Sequence, residues 1–360
     1  MTIGEAVEHY VDSLSGANAD DAWHALVEMG PSALPHAIAA FHATSHLDTR
    51  VSLVRVIAEY RTAESVPFLA GLLAHVEASI WKSAIDALVT AGCRAAVEAL
   101  VTASAAAPDA RREWIDEAVP QAIACLTEAA ERGDVGAQCD LGIIYAKVGG
   151  VAAETPEART WIRRAAELGH AEAQYYLGDT SDEEEQEEAV EWLRQAGEQG
   201  HVAAQLALAW KYEGTDGVGA DAEEAVTWLR RAAERGHADA QRLLGGHYAS
   251  GYGVAQDDTE AVGWLRKAAE QGDALAQFEL GEMFAVGRGV PQDDMQAAVW
   301  MCRAGECGDD FVRYKLVDRY EKASATAREA MDRVMSSEQR ANVQRQLREW
   351  REDFENRHPR

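Results

Sequence analysis

Between residues 222 and 234 the apolar positions recur with a helical period. Ala225, Trp228, Leu229 and Ala232 stand at i, i+3, i+4 and i+7, so they share one face of a helix. Asp221 precedes the run and Glu224 follows three residues later, the pairing of a capping box. Gly236 ends the run in the place of a left-handed cap. A second helix follows, with Ala240, Leu244 and Tyr248 on a common face, and His237 stands at its start. The pattern then returns along the chain. Trp161, Trp192, Trp228, Trp264 and Trp300 are 31, 36, 36 and 36 residues apart. Gly133, Gly169, Gly200, Gly236, Gly272 and Gly308 keep the same rhythm, as do Gln138, Gln174, Gln205, Gln241 and Gln277. Asp257 with Glu260 and Asp293 with Gln296 repeat the cap. Three marks in one phase at this period predict stacked helical hairpins.

The small residues fit that reading. Gly142, Gly178, Gly245 and Gly281 fall where two helices must approach closely, and the Ala-Ala pairs at 129–130, 165–166, 232–233 and 268–269 do the same on the partner helix. Gly251-Tyr252-Gly253-Val254 and Gly287-Arg288-Gly289-Val290 connect hairpins, with glycines supplying positive φ. The pattern A-Q-x-x-L-G-x-x-Y, then G-x-G-V-x-x-D, then A-x-x-W-L-R-x-A-A-E-x-G resembles the Sel-one-like repeat family, a cousin of the tetratricopeptide repeats. The resemblance covers roughly residues 119–322. Departures are local: Cys125 replaces the first Trp, Ala209 replaces the small-packing Gly, and the second unit is five residues short and lacks the G-x-G-V turn. Ser336-Ser337-Glu338-Gln339, leading to Leu347-Arg348-Glu349-Trp350, looks like the terminal helix that many such proteins carry.

Residues 1–116 lack these marks and follow their own period. Ser32-Ala33-Leu34-Pro35, Glu64-Ser65-Val66-Pro67 and Arg94-Ala95-Ala96-Val97-Glu98 lie 32 and 31 residues apart, each before an apolar helical run. Arg50–Ile57 and Ile80–Leu88 lie between them. This resembles short HEAT-type helix pairs. Pro108 and Pro120 bracket Arg111–Val119, expected to be a junction helix.

Charge narrows the choice of partner. The net charge is -27 over 360 residues, and residues 117–317 carry 37 acids against 17 bases. Such an array repels phosphate, which argues against nucleic acid and favours a partner with a basic face. A merely solubilising acidic surface is the competing reading. No signal peptide and no membrane-length apolar run is visible, so the expectation is a cytoplasmic chain that engages no membrane. The five cysteines are odd in number and fall out of phase with the repeat, which fits a reducing compartment. Abundant Arg and Ala suit a bacterial source of high GC content.

Candidate chemistry is sparse. His170, His201 and His237 share one repeat position that Asp134, Asp273 and Asp309 fill elsewhere, which suits a helix-start role. Spaced by whole repeats, the three His are too far apart to hold one metal. His42 and His46 have i, i+4 spacing without the Glu of a zinc protease. Cys302 and Cys307 lack a second pair for zinc. The G-x-G-V turns follow no strand and lack the Lys-Ser/Thr of a phosphate loop. Five acids within 183–188 read as a solvated face, with docking of a basic partner as the alternative. No catalytic residue, metal ligand or cofactor is assigned.

The fold expected is all-α, a right-handed α-solenoid or superhelix of helical hairpins: HEAT-like over 1–116, Sel-one-like over 117–322, and C-terminal capping helices over 323–360. The family resemblance implies that the A-Q-x-x-L-G-x-x-Y helix lines a concave groove. The residues after its Gln and after its Gly vary between units and are expected to meet the partner: Tyr175 and Asp179, Leu206 and Trp210, Arg242 and Gly246, Phe278 and Glu282, with Cys139 and Ile143 in the first unit. The function expected is a non-enzymatic adaptor that binds another protein or peptide. The rival is an immunity or antitoxin protein that neutralises a basic toxin through its acidic surface.

Overall fold

The computed structural model describes residues 2–14, 18–60, 62, 64–148, 156–180, 186–214, 221–307 and 345. Every regular element among them is helical. The first ten helices are α1 (Ile3–Val11), α2 (Ala19–Glu28), α3 (Leu34–Ala43), α4 (Leu47–Glu59), α5 (Ser65–Leu72), α6 (Ala78–Ala91), α7 (Arg94–Ala106), α8 (Asp109–Glu131), α9 (Val135–Val148) and α10 (Pro156–Glu167). They continue as α11 (Ala171–Thr180), α12 (Gln186–Glu198), α13 (Val202–Glu213), α14 (Ala222–Glu234), α15 (Ala238–Ser250), α16 (Asp258–Glu270), α17 (Ala274–Val286) and α18 (Asp294–Cys307). The chain divides into two compact units, 1–173 and 174–360, so the division falls within α11. Each unit is a stretch of all-α solenoid in which consecutive helices pack as hairpins.

In the first unit α4 packs on α6 and α6 on α8, so alternate helices form a layer. Leu26, Leu53, Ile57, Ile80, Leu88, Leu100, Ile115 and Leu126 belong to one continuous core and are fully buried. The Tyr60 hydroxyl donates to the Leu26 carbonyl at 2.8 Å, tying α4 to α2. The apolar runs around 37–41 and 68–73 lie in α3 and α5, and the intervening runs lie in α4 and α6. One expectation fails. The chain does not break at Pro120, because α8 runs through it and the helix gives up the N–H bond that proline cannot make. The same helix spans residue 116, where the first segment was expected to end. Arg94 joins α7 to later helices: its backbone N–H donates to Asp140 Oδ2 at 3.0 Å, and its guanidinium lies 2.9 Å from Glu172 Oε1.

In the second unit the type hairpin forms as its pattern requires, except that the capping box is half made: the Asp221 backbone N–H donates to the Tyr212 carbonyl at 2.9 Å and not to Glu224. Ala225, Trp228, Leu229 and Ala232 are all buried. Asp221 Oδ1 accepts the backbone N–H groups of Glu223 and Glu224, both at 3.1 Å, satisfying donors that the first turn would leave unpaired. Asp257 caps α16 and Asp293 caps α18 in the same way. Gly236, at φ 92°, reverses the chain in a conformation that costs an L side chain energy. Gly245 answers a different need. A Cβ there would sit 2.8 Å from Leu265 Cγ and 3.2 Å from the Ala261 carbonyl, so α15 and α16 approach closely only because none is present. Gly281 stands in the same relation to Met301 and Ala297.

The expected capping segment over 323–360 lies outside the described residues apart from Arg345, as do Gly308, Asp309 and the acids 183–185.

Candidate functional site

The repeat-phased residues are occupied with structure, and their roles separate them from anything left for a partner. Gln138, Gln205, Gln241 and Gln277 are buried, and each side-chain amide donates to a carbonyl eight residues earlier: Ala130, Gly197, Ala233 and Ala269, at 2.8–3.0 Å. Those carbonyls lie at the end of the preceding helix, and each also accepts the backbone N–H of a repeat glycine, Gly133, Gly200, Gly236 or Gly272, at 3.0–3.1 Å. Sequence periodicity marked these glutamines without revealing the bond they make. Trp228, Trp264 and Trp300 are buried, and each indole face carries a cation three residues on. Arg231 lies 4.4 Å from the Trp228 centroid, Lys267 3.7 Å from Trp264 and Arg303 5.0 Å from Trp300. Two further pairs escaped the sequence reading: Arg194 donates to the Tyr212 hydroxyl at 2.6 Å and Arg230 to that of Tyr248 at 2.8 Å. Their signal was an Arg two residues after each Trp.

All three histidines stand at helix starts, and two of them cap with the side chain, whereas His237 makes no such bond before α15. His201 Nδ1 accepts from the Ala204 N–H at 3.2 Å and His170 Nδ1 from that of Ala173 at 3.4 Å. Asp134 and Asp273 do the same with carboxylates, at 2.9 and 2.7 Å. His247 is a local exception at another repeat position. Its Nε2 lies 2.6 Å from Glu213 Oε1 and its Nδ1 2.8 Å from the Tyr252 carbonyl, pinning the 251–254 turn to the end of α13. Among the described residues no three His, Cys, Asp or Glu side chains gather as a metal group. No helix among them is long and apolar enough to cross a membrane.

The proposed contact row splits into two columns. Leu206 and Phe278 are 8% and 5% exposed, so they pack inside the stack and do not project from it. This corrects the expectation. The position after the Gln turns toward the adjoining helices, where an apolar side chain gains by leaving water. At the same position Arg242 is half-buried, with its Nε 3.6 Å from Asp273 Oδ2. Tyr175 is half-buried and stacks on the His201 ring at 4.8 Å. Burial, and then the neighbouring Asp179 carboxylate, raise its phenol pKa. In the first unit Cys139 and Ile143 are both buried. Burial, with Glu172 and Asp140 nearby, pushes the Cys139 thiol up to about 12.

The position after the Gly is the exposed one in the second unit. Asp179 on α11, Trp210 on α13, Gly246 on α15 and Glu282 on α17 occupy the same register, and all four are exposed. Trp210 is 58% exposed, in contrast to the buried indoles of Trp228, Trp264 and Trp300. A Cβ built at Gly246 meets no atom within 4 Å, so this place in the column is open. The neighbouring Lys211 ammonium donates to Gln186 Oε1 at 2.8 Å. The column therefore reads as acid, indole, gap, acid, a surface able to hold a side chain by stacking and charge.

Comparison with known proteins places this architecture. The Sel1 repeat model matches residues 119–134, 135–170, 171–201, 202–237, 238–273 and 274–309. The crystal structure of a Sel1 repeat protein from Oxalobacter formigenes is 31% identical, with a TM-score of 0.51, over 59% of this chain and 91% of that one. A protective antigen with an SLR fold from uropathogenic Escherichia coli strains is 20% identical, with a TM-score of 0.50, over 92% of this chain and 89% of that one, and it shares the fold. No curated protein matches. With consecutive units matched from 119 to 309, more than half its length, the chain belongs to the Sel1 repeat family.

Proposed function

We propose that this protein is a non-enzymatic scaffold that binds another protein or an extended peptide along the exposed column of α11, α13, α15 and α17. One observation carries the reading: Trp210 places 58% of its surface in water, whereas the repeat-phased indoles of Trp228, Trp264 and Trp300 are buried and those of Trp161 and Trp192 half-buried. A large ring held out on a rigid helix loses hydration and little conformational freedom on contact, which is why such rings dominate binding energy at interfaces. The irregularity of the column supports the same reading. Structural positions repeat from unit to unit, whereas Asp179, Trp210, Gly246 and Glu282 differ. In this reading the helical pairs of 1–116 are HEAT-like and extend the scaffold.

The test is affinity capture from native cells, with each partner identified by mass spectrometry, followed by capture with Trp210→Ala. Loss of the partner by a variant whose helical circular dichroism is unchanged supports the column. Equal recovery removes it. Phe278 is unsuitable as a probe, because truncating a buried ring would cost roughly 3–5 kcal/mol of stability.

A further inference from the structure

We propose that the Trp210 column receives a positively charged, extended segment, with an arginine side chain laid on the Trp210 indole. This rests on the binding role proposed above and adds the chemistry of the guest. The protein itself supplies the geometry of such a contact. Arg231, Lys267 and Arg303 lie over the Trp228, Trp264 and Trp300 rings at 4.4, 3.7 and 5.0 Å. Among the described residues no cation and no second ring lies over Trp210. Its neighbour in the column, Gly246, leaves the space that a long side chain needs.

Charge selects the guest. Asp179 and Glu282 are the other members of the column, and the stretch of sequence 117–317 that contains it holds 37 acids against 17 bases. The local cations are engaged: Arg242 lies beside Asp273, and Lys211 is bonded to Gln186. A guanidinium suits an indole face better than an ammonium because it is planar and weakly hydrated.

The probe is a labelled peptide of about twelve residues with arginine at each third position and glycine and serine between. It is titrated with the full chain by fluorescence anisotropy at roughly 0.1 M salt. We expect saturable binding that is lost when glutamine replaces the arginines. Trp210→Ala and Glu282→Lys weaken it about ten-fold or more, while Glu270→Lys, exposed on α16, changes it less than about two-fold. Equal losses from Trp210→Ala and Glu270→Lys would mean diffuse attraction to an acidic surface and overturn the proposal. So would failure of the peptide to bind. If the peptide fails while the native partner still needs Trp210, the guest chemistry is wrong and the column stands. If neither needs Trp210, both readings fall.

Discussion

At the scale of single residues, the repeat marks divide into those that fill space and those that satisfy backbone. The Trp rings and Ala pairs fill space; the glutamines add a second donor to helix-end carbonyls that the repeat glycines already pair. Such a bond has a modest net value of about 0.5–1.5 kcal/mol; it gives the buried glutamine amide a partner, without which its own burial would be costly. Gln241 is tied further, since its Oε1 accepts from Gln271 at 2.7 Å. Tyr60 gives the residue-scale prediction. Burial raises its pKa to about 12 from 10.0, so the folded protein holds the phenol proton where the unfolded chain has released it. Its contribution to stability is present below pH 10 and declines as pH rises from 10 to 12. Urea titrations across that range should give a steep alkaline loss for the wild type and a shallower one for Tyr60→Phe. Parallel curves would mean that Tyr60 is not the group responsible.

At the scale of the helix, the decisive quantity is the distance between paired helices. Gly245 sets it for α15 and α16, where an added methyl group would meet Leu265 and the Ala261 carbonyl. In the hairpin of α13 and α14 the same repeat position holds Ala209, fully buried, so that pair already accommodates a methyl group. Gly245→Ala should therefore destabilise the protein by roughly 1–3 kcal/mol through overpacking, although alanine is the better helix former. Ala209→Gly should also destabilise, by opening a small void and loosening the helix. A gain in melting temperature for Gly245→Ala would show that α15 and α16 can part without loss.

At the scale of the whole molecule, like-charge repulsion outweighs the individual ion pairs. A chain with 61 acids against 34 Lys and Arg, net charge -27, repels itself in the compact state. Exposed ion pairs contribute little, so screening should remove more repulsion than attraction. Raising salt from about 0.02 to about 0.5 M should raise the melting temperature. An unchanged or lower value would mean that pairs such as Arg94 with Asp140 and Glu172 outweigh the repulsion.

Periodicity was enough to determine the all-α solenoid, the hairpin unit, the Asp caps and the close approach at Gly245. Each follows from local rules: a 3.6-residue stripe must be buried, a first turn needs acceptors, and a crowded contact excludes Cβ. The sequence could not decide which irregular residues face outward. Tyr175, Leu206, Arg242 and Phe278 follow the glutamine, Asp179, Trp210, Gly246 and Glu282 follow the glycine, and both sets vary alike along the chain. Four positions along a helix return almost to the same face, so spacing alone cannot separate the two sets. Neighbouring helices separate them by covering Leu206 and Phe278 and leaving Trp210 in water, and that burial exists only once the hairpins are stacked.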